Sequence, residues 1–161
     1  MSVKILYIVR HAKSSWKDTS LKDFDRPLNK RGKRNAPFMA NILHEKGVCP
    51  EIILSSPAKR AKCTAEALCT TLGGELVLEE AIYEASLSTL KKHLEKAFEI
   101  YDSVMLVGHD PSITMLNNTI SNISIYHIPT AAIVAIALDE GDAFKGTQLF
   151  YEYPKKHKKK M

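Results

Sequence analysis

The sequence predicts an α/β sandwich in three layers, a mostly parallel central sheet with helices on both faces. Short apolar runs with polar punctuation occur at residues 3–9, 51–54 and 103–107. Stretches with apolar residues at helical spacing alternate with them. Runs of this length read as buried parallel strands, and strand–helix alternation builds a layered α/β domain.

The elements follow in chain order. The first strand, residues 3–9, runs into Arg10, His11, Ala12, Lys13 and Ser14. Residues 12–28 form a polar loop rich in Lys, Asp and Ser. A helix is expected over about 36–46, because Pro37 fits only a first turn and leaves an earlier start at Asn29 open. Gly47 closes it. After the second strand, Ser56 reads as an N-cap and Pro57 as a first helical residue. Ala61, Ala65, Leu68 and Leu72 then repeat at helical spacing until Gly73 and Gly74. Residues 75–78 make a short third strand. A helix over 87–101 carries Leu87, Leu90, Leu94, Phe98 and Tyr101 on one face. The strand at 103–107 leads to Gly108, His109, Asp110 and Pro111, a second cap-plus-proline signature, and to a helix ending near Ser121. Strands at 131–138 and 146–153 complete the sheet, and this last pair can be antiparallel.

A length of 161 residues fits one domain, assigned to 1–153, with 154–161 expected as a basic, disordered tail. No secretory signal is visible, since Lys4 interrupts the first apolar run. The longest apolar stretch, 131–138, is far short of the roughly 20 residues of a membrane helix. Cys49, Cys63 and Cys69 lack close pairs and metal-like spacing. They read as free thiols of a cytoplasmic protein. Five lysines in the tail account for the whole net charge of +5, leaving the body neutral. With no basic stripe interleaved with aromatics, neither a nucleic-acid partner nor a membrane is expected.

The chemistry lies at the strand ends. Ligands of open α/β sheets bind beyond the carboxyl ends of the strands, which would bring Arg10, His11, Arg60 and His109 together. A neutral histidine can attack phosphorus and carry the phosphoryl group, splitting one displacement into two. The remaining task is to position and neutralise the equatorial oxygens, which a planar guanidinium does with two hydrogen bonds. Helix starts beside Arg60 and His109 add free N–H groups. His11 is therefore the candidate nucleophile, and Arg10, Arg60 and His109 the clamp. A lone Arg-His or Gly-His pair is usually a surface feature. The weight comes from three clusters after three strands.

These residues carry a family resemblance. Arg10-His11-Ala12-Lys13-Ser14, Ser56-Pro57 through Arg60, and Gly108-His109 resemble the core of the histidine phosphatase superfamily. Asp25-Arg26-Pro27-Leu28 followed by Arg31-Gly32, with Trp16 upstream, is similar to its small phosphohistidine phosphatase branch, the SixA type. The likeness extends to about Tyr153. Alanine follows His11 where the superfamily often has glycine, a variation common in this branch. The resemblance implies a phosphoglycerate mutase-like fold and a phosphatase that uses no metal or cofactor and passes through a phosphohistidine. It also implies that Arg26 contacts phosphate, beside the alternative that Arg26 only pairs with Asp23 or Asp25. Lys13 is a weaker substrate-contact candidate, and Trp16 is expected to pack at an edge.

The proton donor stays open between two residues. Glu84 matches the glutamate that many superfamily members use after the third strand. Asp110 matches the aspartate of a distant acid-phosphatase branch, yet also serves as an ordinary N-cap. A phosphoramidate needs little help, since its nitrogen leaves readily once protonated. No inserted cap subdomain is evident between residues 55 and 106, which implies an open, shallow site. The expected substrate is phosphohistidine on a protein. A small phosphoester is the enzymatic alternative, and a phosphate-recognising binding module the non-enzymatic one.

Overall fold

The computed structural model describes residues 3–141 and 144–160, with Lys159 and Lys160 as backbone alone. Six strands form one sheet: β1 (Ile5–Arg10), β2 (Ile52–Ser55), β3 (Glu75–Leu78), β4 (Ser103–Gly108), β5 (Ile133–Leu138) and β6 (Gly146–Glu152). Their spatial order is β3-β2-β4-β1-β5-β6. The β1–β4, β4–β2 and β2–β3 pairs are parallel, and β5 runs antiparallel to both of its neighbours. Only β5 is reversed, so the sheet is mostly parallel as expected.

Side-chain alternation along each strand separates two cores. Tyr7 and Val9 face one layer with Met39 and Leu43 of α1 (Lys30–Glu45) and Ala61, Ala65 and Leu68 of α2 (Lys59–Leu72). Leu6 and Ile8 face the other, with Leu90 and Leu94 of α3 (Leu87–Phe98) and Ile113 and Leu116 of α4 (Ser112–Ile120). Burying each such Leu or Ile stabilises the fold by roughly 1.5–3 kcal/mol. Val104 to Val107 of the central strand β4 are fully buried, which explains the continuous rather than alternating apolar run.

Three boundaries differ from the sequence reading. α1 starts at Lys30, because the Asn29 side chain accepts a hydrogen bond from the Gly32 N–H at 2.8 Å. Pro37 lies inside the helix on its exposed side, where the carbonyl it cannot bond reaches water. α2 starts at Lys59 rather than Pro57. Ser56 Oγ still accepts from Ala58 N–H at 3.2 Å, but in a turn ahead of the helix. α3 stops at Phe98, and Tyr101 caps it by donating its N–H to the Ala97 carbonyl.

The C-terminal segment departs from the expected disordered tail. Pro154–Lys160 forms two 3-10 turns that meet at a kink at His157. Buried Glu152 anchors it through His157 Nε2 at 2.8 Å and Lys156 Nζ at 3.2 Å, and also takes Lys46 Nζ at 2.9 Å. The His157 ring packs edge-on against Phe38. A charge-count reading sees only the lysines and misses Glu152, which takes Lys156 and His157. Among the described residues no helix is long and apolar enough to cross a membrane.

Candidate active site

Three neighbouring strands deliver the site. β2, β4 and β1 stand side by side, and their ladder runs on past the strands: Ser56 N–H donates to Val107 and His11 N–H to Gly108. The residues after each strand therefore leave the sheet at one level. His11 and His109 come within 5.1 Å, ring centre to ring centre. Arg10, His11, Arg26, Arg60 and His109 line one cavity of about 230 Å³, together with Lys13, Ser14, Trp16, Asp110 and Thr130.

The loop between β1 and α1 folds back over this cavity. Ser14 and Leu28 form an antiparallel bridge, and Ser15 N–H donates to Pro27 at 2.8 Å. The hairpin-like closure brings the 3-10 turn Asp23–Asp25 against Arg60. Thr64, one turn beyond Arg60, ties the helix to the strand end: its hydroxyl donates to the Arg60 carbonyl and accepts from Ala12 N–H.

His11 is buried, and its Nδ1 lies 2.7 Å from the Ala12 carbonyl oxygen. A carbonyl only accepts, so Nδ1 carries the proton and Nε2 keeps the lone pair. Burial depresses the His11 pKa to about 3, and repulsion from Arg60, Arg10 and, once it is protonated, His109 adds to this against the Ala12 bond. Burial and then Arg60 hold His109 down to about 4. Both imidazoles are neutral at pH 7. His109 Nε2 is 2.8 Å from Ser56 Oγ. Because Ser56 Oγ accepts from Ala58 N–H, its own hydroxyl proton can go to Nε2, which leaves the ring proton on Nδ1.

Asp23 organises the cationic side. Its carboxylate takes Arg60 Nη2 at 3.0 Å, Arg26 Nε at 3.2 Å and the Tyr83 hydroxyl at 2.8 Å, and its carbonyl takes Arg60 Nη1 at 2.7 Å. Burial raises the Asp23 carboxyl, but the bonds from Tyr83, Arg60 and Arg26 outweigh it and hold it at about 2. Burial and the Asp23 carboxylate push the Tyr83 phenol up to about 12. Arg10 Nη1 donates to the Ile128 carbonyl at 2.9 Å and meets His127 Nε2 at 3.1 Å, while His127 Nδ1 meets Asp110 at 2.8 Å. Arg10 Nε, Arg60 Nε and His109 Nδ1 are buried and have no partner among the described residues. Buried donors of this kind are costly unless matched, and phosphoryl oxygens match them.

Every clamp residue named from the sequence reaches the cavity. Arg26 pairs with Asp23, as one of its two readings had it, and also lines the cavity, with Ser14 Oγ at 2.8 Å. Trp16 departs from edge packing: it is exposed, and the Arg26 guanidinium stacks 3.5 Å over its ring. Glu84 lines an adjoining cavity of about 360 Å³ shared with Asp23, Tyr83, His109 and Asp110. Asp110 accepts from Thr114 N–H and holds His127, so it serves as a cap and a brace. Sequence reasoning missed Asp23 as a hub, Tyr83, Ser56 as a partner of His109, and His127. Nothing in their local sequence marks them, since each acts through residues distant in the chain. Among the described residues no group of His, Cys, Asp and Glu could hold a metal ion.

Comparison with known proteins places the chain in a family. The family model described as the histidine phosphatase superfamily (branch 1) matches residues 6–105, more than half of the chain. An uncharacterized chloroplastic protein of Arabidopsis thaliana is 45% identical over 69 residues, 43% of this chain and 32% of that one. The chain thus spans about a third of that relative's length. The crystal structure of a putative phosphohistidine phosphatase SixA from Agrobacterium tumefaciens superposes with a TM-score of 0.83 at 28% identity, covering 94% of this chain and 98% of that one. A protein histidine phosphatase SixA complexed with tungstate gives the same TM-score and coverage at 24% identity. A mycobacterial glucosyl-3-phosphoglycerate phosphatase gives 0.70 at 14% identity over 91% of this chain and 98% of that one. The last two likenesses show the fold alone, which is the phosphoglycerate mutase-like fold.

Proposed function

Because the chain belongs to the histidine phosphatase superfamily, we propose that this phosphatase removes phosphate from phosphohistidine on a protein, using His11 as nucleophile. One observation carries the reading. The neutral His11, with its Nδ1 committed to the Ala12 carbonyl, shares a small cavity with three guanidinium groups and a second neutral imidazole.

In the first step His11 Nε2 attacks phosphorus, and the bond from phosphorus to the substrate's imidazole nitrogen breaks. That nitrogen departs as neutral imidazole once protonated. Water then attacks the phosphoryl group on His11, inorganic phosphate leaves, and Nε2 regains its lone pair. Arg10, Arg60, Arg26 and His109 would donate to the equatorial oxygens throughout, which is the larger part of phosphoryl-transfer catalysis. Lys13 would add charge at the rim. Neither Glu84 nor Asp110 needs to be a strong acid for this substrate, because the leaving nitrogen is basic. No step calls on a metal.

A small phosphoester is the second reading, favoured by the likeness of the fold to a glucosyl-3-phosphoglycerate phosphatase. A turnover panel of a phosphohistidine protein, phosphoramidate and sugar phosphates separates the two. A preference of about a hundredfold for nitrogen-linked phosphate, about 2.7 kcal/mol in barrier height, is expected. Equal turnover of sugar phosphates would reject the first reading. Rapid quenching should trap acid-labile phosphate on His11, and full activity of His11→Ala would end both readings.

A further inference from the structure

The catalytic cavity opens at Lys13, Ser14 and Trp16 into a second depression of about 780 Å³ between the β1–α1 loop and the start of α1. Its charged lining is Lys13, Lys17, Lys30, Arg31, Lys33 and Arg34, without a carboxylate. Arg31 and Arg34 continue into a third depression of about 550 Å³, bounded on the far side by Lys155 and Lys158. All of these cations are exposed, and among the described residues none makes an ion pair.

Such a track works against the free protein. Its members repel one another, and those at the start of α1 stand where the helix dipole disfavours positive charge. No acidic residue occupies that first turn. Asp23 is committed to Arg26 and Arg60, and Glu152 to Lys46, Lys156 and His157, and no carboxylate of the β1–α1 loop lines either depression. The missing negative charge must come from outside the chain.

We propose that this track docks an acidic protein surface, rich in Asp and Glu, that flanks the phosphorylated residue of the substrate. The inference rests on the phosphohistidine-protein reading and names what surrounds that histidine. The track ends in the phosphate cavity, so its occupant carries a terminal phosphoryl group beside its acidic stretch. A nucleic acid fits less well, because Trp16 is the single aromatic ring lining the two depressions and bases would have little to stack on.

Trp16 is the only tryptophan of the chain, so its fluorescence reports occupancy independently of turnover. Two phosphohistidine peptides of equal length, one flanked by Glu and the other by Gln, should differ at least tenfold in kcat/KM at low salt. The difference should shrink as salt screens the charges. Lys33→Glu with Arg34→Glu should abolish it while leaving phosphoramidate turnover within twofold, and the gentler pair Lys33→Gln with Arg34→Gln should reduce it. Equal peptides, or a preference that survives both pairs, would overturn the inference. An unphosphorylated Glu peptide should quench or enhance Trp16 fluorescence and bind the charge-reversed variant at least tenfold more weakly. Tighter binding of an equally charged oligodeoxynucleotide or of phosphatidylserine vesicles would overturn it as well. If the Glu peptide binds the track while neither phosphohistidine peptide is hydrolysed, docking stands and the substrate reading falls.

Discussion

Asp23 and Arg60, far apart in sequence, are joined twice: Arg60 donates Nη1 to the Asp23 carbonyl at 2.7 Å and Nη2 to its carboxylate at 3.0 Å. That double bond uses the outer edge of the guanidinium and leaves the buried Nε free of protein partners among the described residues. The same carboxylate holds Arg26. One acid thus sets the position of two clamp residues.

Asp23→Asn should keep the backbone bond to Arg60 but lose the charge that aligns both arginines. A fall in kcat/KM of about 10- to 100-fold, or 1.4–2.7 kcal/mol, is expected for every phosphorylated substrate, with an unchanged circular dichroism spectrum. Wild-type kinetics in this variant would show that Asp23 does not position the clamp.

Arg60→Ala removes a charge-assisted donor from developing negative charge. Its kcat should drop about 10²- to 10³-fold. Arg26→Lys keeps the charge but loses the Trp16 stack and the planar fork, so a smaller loss is expected together with a shift in Trp16 emission. Steady-state kinetics beside a fluorescence spectrum tests the ranking, which is wrong if Arg26→Lys is the more damaging.

The two imidazoles, with pKa values near 3 and 4, set the pH dependence. Between those values and about 6.5 the unfolded chain binds protons that the folded chain does not. Stability should therefore fall as pH drops from about 6.5 toward 4, and His11→Asn should flatten part of that slope in urea titrations. The acid limb of kcat/KM should likewise lie well below pH 6.5. A limb at the solvated-histidine value would mean that neither ring is held neutral by burial.

Gly32 packs against the backbone of Lys13, so closely that an added Cβ would collide with the Lys13 carbonyl oxygen. Gly32→Ala should push α1 away from the β1–α1 loop, costing about 1–3 kcal/mol in stability and lowering kcat as well. Thermal melts paired with kinetics would decide, and an unaltered melting temperature would show that the loop yields freely.

Glu84→Gln and Asp110→Asn separate the donor candidates by their pH–rate profiles. Asp110 braces Thr114 and His127, so its loss should lower activity and stability while leaving the basic limb in place. Loss of Glu84 should abolish the basic limb for a phosphoester and leave phosphoramidate turnover nearly intact. A basic limb that disappears only in Asp110→Asn would reverse the assignment.

The order of strands and helices was legible in the chain because burial on both sheet faces demands long apolar runs, and helices packed on one face demand a 3.6-residue repeat. The meeting of Arg10, His11, Arg60 and His109 was legible too, as Arg10 ends β1, His11 and His109 follow β1 and β4, and Arg60 lies in the first turn of α2 after β2, and strand ends in a parallel sheet share one edge. Pro37 misled the reading of α1, since its cost depends on whether its face of the helix is wet, and only packing shows that.

What the sequence by itself determined is the layered α/β frame and which arginines and histidines stand at the strand ends, for these follow from local periodicity and residue chemistry. Tertiary structure alone decided which acid holds the arginines, which hydroxyl meets His109, and that Glu152 takes Lys156 and His157. It also gathered the cations into a track beside the active site, though the body outside the tail is neutral on count. Charge and hydrogen bonding act through space at a few ångströms, and chain separation carries no information about that distance until the loops have closed.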